Sequence, residues 1–216
     1  SPHTVTRDLP NIKPTFLLAV PRIYEKLMAG ALAKAESDGK GFIFRRARYV
    51  ATRRGRAQDL VRRGKPKPRV NPLHAAEYRL YNKLVYPKIR EIMGGEVRYS
   101  ISGASPLFPD LAHFFNAIGL GVLEGYGLTE TTAPLTVNMP GKQRVGSVGL
   151  PIPGTCVRIA DDGEILAKGI GVFAGYWNNP EATEKAFDED GFFATGDLGE
   201  LDEDGFLTVT GRKKDI

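Results

Sequence analysis

The octet GYGLTETT, which begins at Gly125, brings an aromatic ring, several hydroxyl groups and one carboxylate within eight positions. Gly125 and Gly127 allow a backbone to approach a flat ligand closely, and the Tyr126 ring offers a stacking face. The Thr129 hydroxyl suits a phosphate oxygen, and Glu130 supplies the only carboxylate of the octet, the kind of ligand that Mg²⁺ prefers. This combination suggests a nucleotide site, although a surface turn rich in Gly and Thr has the same composition and remains an alternative.

The segments before the octet predict how it is positioned. An apolar run at Val122 and Leu123 predicts a buried strand that ends where the octet begins. Upstream, EVRYSIS (96–102) predicts a strand and LAHFFNAI (111–118) predicts a helix, so the order is strand, helix, strand. That order is typical of a parallel crossover unit, and loops at the carboxyl ends of strands border the ligand crevice of open α/β sheets.

The pattern changes near residue 144. Helical patterns dominate before it, whereas short strands then alternate with glycine turns such as DDG and DEDG, which predicts a small antiparallel β subdomain. The predicted fold class is therefore α/β, a parallel strand-helix-strand subdomain followed by that β subdomain. The predicted division is an α/β subdomain over 1–143 with a basic helical insertion at about 33–93, followed by a β-rich subdomain over 144–211.

Composition indicates the size of the core and the cellular compartment of the protein. The 216 residues are 42% hydrophobic and 25% charged, which fits one or two globular domains with a sizeable core. Cys156 is the single cysteine, so an internal disulfide is excluded and a reducing, cytoplasmic location is favoured. The alternating pattern of TCVRIA predicts that Cys156 is a small core residue. The sequence has no apolar run of about eighteen residues, so no segment is predicted to span a bilayer.

The positive charge is concentrated in residues 40–70. This segment has a net charge of +11, whereas the remainder of the chain has a net charge of −6. Apolar side chains such as Phe42 and Tyr49 lie between the bases, and this pattern is typical of a segment that rests on an anionic membrane or holds nucleic acid. A solvated helix face is the alternative interpretation.

Five stretches together resemble the adenylate-forming superfamily, most closely its bacterial long-chain fatty acyl-CoA synthetases. In chain order they are FLLAVPRIYEKL (16–27), SGASPL (102–107), GYGLTETT (125–132), GEILAKGIGVFAGYWNNPEATEKAF (163–187) and GFFATGDLGELDEDGFLTVTGRKKDI (191–216). The long helical insertion between the first two stretches is also similar. GYGLTET followed by TGDL and GRKKD is a specific combination, and the resemblance covers almost the whole chain. SGASPL departs from the usual form of its motif at Ser105.

The resemblance implies roles for individual residues. Thr129 would contact the α-phosphate of ATP, Glu130 would hold Mg²⁺, and these two residues would take part in catalysis. Asp197 would bind the ribose hydroxyls with Arg212 nearby, and Asp215 would be the pivot of an interdomain hinge over 212–216. The residues that would line the adenine slot, with Tyr126 stacked on the base, are Gly103, Ala104, Glu124, Gly125, Tyr126 and Gly127.

The implied reaction joins a fatty acid to the AMP part of ATP and then to coenzyme A, through an acyl-adenylate and with release of pyrophosphate. The resemblance also implies a β- and γ-phosphate loop before Ser1 and a further domain after Ile216. We therefore expect the chain to be part of the large domain and inactive alone. Peripheral membrane contact through 40–70 is expected, and nucleic acid is not. Two alternatives stay open, namely another carboxylate-adenylating ligase and a basic module that binds membranes or nucleic acid without chemistry.

Overall fold

The computed structural model describes residues 4–69 and 71–215, so the parts of these predictions that concern 1–3, Val70 and Ile216 lie outside it. The chain forms two compact units. The first comprises the described residues up to Leu123 together with Pro140–Val145, and the second comprises Glu124–Met139 together with the described residues from Gly146 onward. The sequence boundaries proposed at 143 and 211 remain predictions.

The first unit is mainly helical. Its helices are α1 (Val5–Ile12), α2 (Pro21–Ser37), α3 (Gly41–Arg62), α4 (Pro72–Leu84), α5 (Tyr86–Ile92) and α6 (Pro109–Ala117). Its strands are β1 (Phe16–Ala19), β2 (Tyr99–Ser102) and the start of β3 (Gly121–Tyr126), which continues into the second unit. Strands β1 and β2 pair in parallel, with Phe16 opposite Tyr99 and Ala19 opposite Ser102. The parallel pair and its helices confirm the α/β prediction for this part of the chain.

Local sequence explains where several of these helices begin. Helices α2, α4 and α6 each start at a proline, whose fixed φ suits the first turn and whose missing N–H is not needed there. Asn71 caps α4, because its side-chain oxygen accepts a hydrogen bond from the Leu73 N–H at 2.9 Å. These are local signals, so they are readable from the chain before any tertiary contact is known.

The core of the first unit is rich in aromatic rings. Tyr24, Tyr86, Phe114 and Phe115 are fully buried, and the Tyr86 hydroxyl donates to the Ala47 carbonyl at 2.9 Å. Edge-to-face contacts join Tyr24 to Phe115 and Tyr86 to Phe114. These rings lie on three helices that are far apart in sequence, so they hold the helical part of the unit together.

Helix α3 crosses α6 at a very short distance, and Gly55 makes this approach possible. A Cβ atom added at Gly55 would lie 2.0 Å from the His113 carbonyl oxygen, so the crossing requires a residue without a side chain. In contrast, a Cβ atom at Gly30 of α2 would meet nothing within 4 Å. The two helical glycines therefore have different structural roles.

Two bases of α3 contact the neighbouring helix α4. The Arg46 guanidinium binds both carboxylate oxygens of Glu77 at 2.9 Å, and the Arg54 guanidinium lies 4.2 Å from the ring centroid of Tyr78. These two arginines therefore join α3 to α4. The exposed side of α3 instead carries a stripe at helical spacing that comprises Phe42, Arg45, Tyr49, Arg53, Arg56 and Leu60. No helix in the described part of the chain is long and apolar enough to cross a membrane.

The second unit is mainly antiparallel β structure, which confirms the prediction for this half. After the end of β3 come β4 (Thr136–Val137), β5 (Leu150–Pro151), β6 (Thr155–Ile159), β7 (Glu164–Gly169), α7 (Pro180–Ala186), β8 (Phe193–Leu201) and β9 (Leu207–Arg212). Strand β4 pairs antiparallel with β3 and β5, and strands β6 to β9 form a four-stranded antiparallel sheet in chain order. Single-turn 3₁₀ helices lie at Thr129–Thr131 and Lys213–Asp215.

The structure corrects one prediction in this unit and adds a helix. Cys156 is exposed, not part of the core, because it shares the solvent-facing side of β6 with Arg158 while Val157 and Ile159 face the other way. Helix α7 was not predicted from the sequence, although the sequence contains the signals for its start. Asn179 caps it by accepting from the Ala182 N–H at 3.1 Å, and Pro180 occupies its first position.

Candidate functional site

The octet folds as the end of a strand followed by a tight turn. Strand β3 ends at Tyr126, and the 3₁₀ turn then begins at Thr129. The Leu128 N–H donates to the Thr131 hydroxyl at 2.9 Å, and the Thr131 N–H donates to the Leu128 carbonyl at 3.1 Å. Thr131 is buried and closes the turn, whereas Thr129 is exposed and is free to contact a ligand.

Gly127 is required by the fold of this segment itself. A Cβ atom at Gly127 would lie 2.9 Å from the Leu135 nitrogen and 3.0 Å from the Ala133 Cα atom. The chain therefore needs glycine here in order to return after the turn, whatever ligand approaches it.

Asp197 lies at the centre of a three-residue hydrogen-bond network. The Tyr126 hydroxyl donates to Asp197 Oδ2 at 2.7 Å, and Arg212 Nε donates to Asp197 Oδ1 at 2.9 Å. Antiparallel pairing of β8 with β9 sets Asp197 directly opposite Arg212. The Asp197 residue is only 5% exposed, so its charge needs these partners to be tolerated in the fold.

The electrostatics of the network follow from this geometry. Burial, and then the neighbouring Asp197 carboxylate, raise the pKa of the Tyr126 phenol, so this hydroxyl remains a donor at neutral pH. The hydrogen bond to Asp197 is also the main reason why the pKa of the Arg212 guanidinium is raised. The network therefore combines one carboxylate, one guanidinium and one neutral phenol.

Glu130 is held by a different segment. The Tyr176 hydroxyl donates to Glu130 Oε1 at 3.1 Å, and the Phe173 N–H donates to the Glu130 carbonyl at 2.7 Å. Burial and the Glu130 carboxylate raise the pKa of the Tyr176 phenol. Tyr176 also packs edge to face on Phe173 at 4.8 Å between ring centroids. The carboxylate of the octet is thus oriented by an aromatic pair some 45 residues downstream.

Glu124 is buried and supports the backbone of a neighbouring loop. Its carbonyl accepts from the Asn138 N–H at 2.8 Å, and its carboxylate accepts from the Gly146 N–H at 3.2 Å. Gly103 and Ala104 belong to the other compact unit, just after β2, where the Gly103 N–H donates to the Ala19 carbonyl at 3.3 Å. Ala104 adopts a left-handed backbone conformation with φ of 69°.

Comparisons with known proteins identify the family of this chain. Residues 1–177 match the family described as AMP-binding enzyme. This chain belongs to that family. The membership confirms the resemblance to the adenylate-forming superfamily and does not favour the alternative of a basic module without chemistry.

Two curated relatives within this family are similar to almost the whole chain. The long-chain-fatty-acid–CoA ligase FadD15 of Mycobacterium bovis is 44% identical over 98% of this chain and 35% of its own length. Long chain acyl-CoA synthetase 8 of Arabidopsis thaliana is 37% identical over 97% of this chain and 30% of its own length. The chain thus spans about a third of the length of the curated relatives that it matches.

A solved structure extends the comparison to three dimensions. ATP-bound MatB from Rhodopseudomonas palustris is 29% identical to this chain and superposes on it with a TM-score of 0.64. The match covers 100% of this chain and 34% of that chain. The neighbour supports the assignment of the fold to adenylate-forming enzymes.

Tertiary structure adds three residues that the sequence analysis did not assign to the site. Tyr176 contacts Glu130, while Glu164 and Lys213 bind each other at 2.7 Å next to the Asp197 network. All three residues lie within stretches that carry the family resemblance, so the sequence shows that they are present in this part of the chain. Their contacts could not be predicted from the sequence, because these contacts join positions 46 to 49 residues apart.

Proposed function

We propose that this chain carries the adenosine-binding part of a long-chain fatty acyl-CoA ligase. The observation that carries the proposal is the buried Asp197 carboxylate, held between Tyr126 and Arg212 within a chain of the AMP-binding enzyme family. The names of the curated relatives support the long-chain substrate. The proposed co-substrates are a fatty acid, ATP and coenzyme A.

Asp197 is suited to bind a ribose. A carboxylate has about four lone-pair positions, and Tyr126 and Arg212 occupy one on each oxygen, so acceptor capacity remains for two hydroxyl groups. The hydrogen bond from Tyr126 also fixes the tilt of its ring, which would stack on adenine. Glu124, Gly125 and Gly127 would line the adenine slot next to this ring, and Gly103 and Ala104 are the further residues that the family resemblance assigns to adenine.

The proposed chemistry has two steps. In the first, an oxygen of the fatty carboxylate attacks the α-phosphorus of ATP, and the bond from that phosphorus to pyrophosphate breaks. In the second, the sulfur of coenzyme A attacks the acyl carbon and AMP leaves. Thr129 would donate a hydrogen bond to an α-phosphate oxygen, where negative charge is redistributed in the transition state. Asp215 would be the pivot of the interdomain hinge that moves between the two steps.

Magnesium is part of the proposal, with Glu130 as its protein ligand. The described residues contain no cluster of three or more His, Cys, Asp or Glu side chains that could hold a metal alone. One carboxylate nevertheless suits Mg²⁺, which is typically bound by one or two carboxylates together with phosphate oxygens and water. A bound Mg²⁺ would neutralise phosphate charge, and Tyr176 would orient Glu130 toward it.

A second proposed property is contact with anionic membranes from a cytoplasmic location. The stripe on α3 supports it, because Phe42 is 77% exposed and Tyr49 is 49% exposed next to Arg45, Arg53 and Arg56. Aromatic and basic side chains on one face of a helix are typical of a segment that rests on a lipid headgroup layer. Arg46 binds Glu77 and Arg54 stacks on Tyr78, so these two arginines also join α3 to α4.

The ribose proposal is tested by comparing AMP with 2′,3′-dideoxy-AMP. Isothermal titration of the 216-residue chain should show at least tenfold tighter binding of AMP, because only AMP offers the two hydroxyl groups to Asp197. Asp197→Asn should remove that preference. Glu200→Gln, an exposed change on the same strand, is the matched control and should keep it. Equal affinity of the unchanged chain for both nucleotides would contradict the ribose role.

A further inference from the structure

Glu164, the first residue of β7, carries a buried carboxylate that the proposed chemistry does not use. Its Oε1 atom accepts from the Gly196 N–H at 2.8 Å, and its Oε2 atom accepts from Lys213 Nζ at 2.7 Å. Gly196 immediately precedes Asp197, and Lys213 immediately follows Arg212. One side chain therefore contacts the neighbours of both members of the carboxylate and guanidinium pair.

Two irregularities of the backbone create this contact. Pairing of β7 with β8 shifts register between Glu164 and Leu166, so Glu164 lies opposite Leu198. Gly196 has φ of 74°, a left-handed conformation that favours glycine. Together they turn the Gly196 N–H out of the regular ladder and toward the Glu164 carboxylate.

Lys213 binds two carboxylates at once. Its Nζ atom lies 2.6 Å from Asp162 Oδ2 as well as 2.7 Å from Glu164 Oε2. The Asp162 and Lys213 side chains are about half exposed, whereas the Glu164 side chain is 10% exposed. Water can replace the bond to Asp162 at little cost, but a buried Glu164 carboxylate that loses its cation is poorly compensated.

We infer that Glu164 is a positioning residue that couples the Gly196–Asp197 segment of β8 to the Lys213–Asp215 turn. This inference rests on the proposed binding of a nucleotide by Asp197. A ribose that holds Asp197 in place also holds Gly196, and Glu164 passes that restraint to Lys213 and hence to the turn. Linkage is reciprocal, so an ordered turn must tighten nucleotide binding by the same factor as nucleotide orders the turn.

The test uses the full 216-residue chain with AMP as the probe. Isothermal titration measures AMP affinity, and hydrogen exchange measures protection of residues 211–215 with and without AMP. Glu164→Gln keeps an oxygen for the Gly196 N–H but removes the charge that binds Lys213. We expect three- to tenfold weaker AMP binding and loss of the AMP-induced protection of the turn. Lys213→Met should do the same, and Lys213→Arg should retain most of both effects.

Two controls separate positioning from general stability. Asp162→Asn changes the exposed partner of Lys213 and should leave AMP affinity within twofold of the unchanged chain. Glu200→Gln should match the unchanged chain throughout. If Glu164 served only to stabilise the sheet, Glu164→Gln would lower the melting temperature while AMP still protected the turn, and that result would overturn the inference. Absence of AMP binding by the unchanged chain would instead overturn the proposed function, and the nucleotide coupling with it.

Discussion

Tyr126 and Asp197 are 71 residues apart in the chain, and a hydrogen bond of 2.7 Å joins the phenol of one to the carboxylate of the other. The bond links the octet that ends β3 to strand β8 of the four-stranded sheet. Because Asp197 is buried and also binds Arg212, its orientation is set before any ligand arrives. Such preorganisation lowers the cost of ordering side chains when a nucleotide binds.

Tyr126→Phe tests this relationship directly. The change keeps the ring that would stack on adenine but removes the donor to Asp197. Because Asp197 is then less well oriented for the ribose, AMP affinity measured by titration should fall roughly fivefold, which corresponds to about 1 kcal/mol. Tyr176→Phe is the matched control, because it also removes one phenol but contacts Glu130, and in the absence of Mg²⁺ it should leave AMP binding unchanged. Equal effects of the two changes would contradict a specific role for Tyr126.

Glu130→Gln tests the metal proposal and requires a ligase of the full length of the relatives. The change removes the charge proposed to bind Mg²⁺ while keeping the shape of the side chain. Pyrophosphate release from fatty acid and ATP should fall about 10² to 10³-fold, because charge stabilisation matters most in the transition state. Binding of preformed acyl-adenylate should change much less. Similar losses in both measurements would show that Glu130 acts through structure, not through the metal.

The exposed stripe on α3 predicts which arginines contact a membrane. Replacement of Arg45, Arg53 and Arg56 by Gln should reduce binding to phosphatidylserine-containing vesicles roughly a hundredfold at low salt, since each base contributes about 1 kcal/mol near an anionic surface. Their ion pairs with Glu36 and Asp110 are exposed, so stability should change by less than about 1 kcal/mol.

Arg46→Gln is the control for this prediction, because it breaks the paired contact with Glu77 that joins α3 to α4. It should lower stability, while vesicle binding should fall much less than in the triple variant. Unchanged vesicle binding by the triple variant would leave α3 as a solvated helix face. Tight binding of duplex DNA, lost in the triple variant, would favour the nucleic-acid interpretation instead.

Two helical glycines provide a paired stability prediction. Gly55→Ala would place a methyl group 2.0 Å from the His113 carbonyl oxygen, so α3 and α6 must separate, at a cost of about 1 to 3 kcal/mol. Gly30→Ala adds the same methyl group where nothing lies within 4 Å and should stabilise the protein by about 0.5 to 1 kcal/mol. Urea titration of both variants measures the two changes. A loss of stability in Gly30→Ala as large as that in Gly55→Ala would contradict this account of the helix crossing.

The sequence predicted most of the elements because their signals are local. Prolines and a capping asparagine mark helix starts, an apolar run marks β3, and glycine turns separate the strands of the β-rich half. The motifs predicted the family in the same way, since GYGLTET, TGDL and GRKKD are short and contiguous. Helix α7 and the exposure of Cys156 were missed. A strand pattern shows that side chains alternate, but only the sheet shows which face is covered.

The sequence by itself therefore determined the α/β class, the order of the main elements, the AMP-binding family and the identity of residues such as Tyr126, Glu130, Asp197 and Arg212. Tertiary structure alone decided which of them meet. Strand register places Asp197 opposite Arg212, a bulge turns Gly196 toward Glu164, and the fold brings Tyr176 to Glu130 across 46 positions. It also decided which arginines of α3 contact α4. The physical reason is that propensity and motif act over a few neighbouring residues, whereas hydrogen bonds and burial depend on distances in space that the whole fold sets.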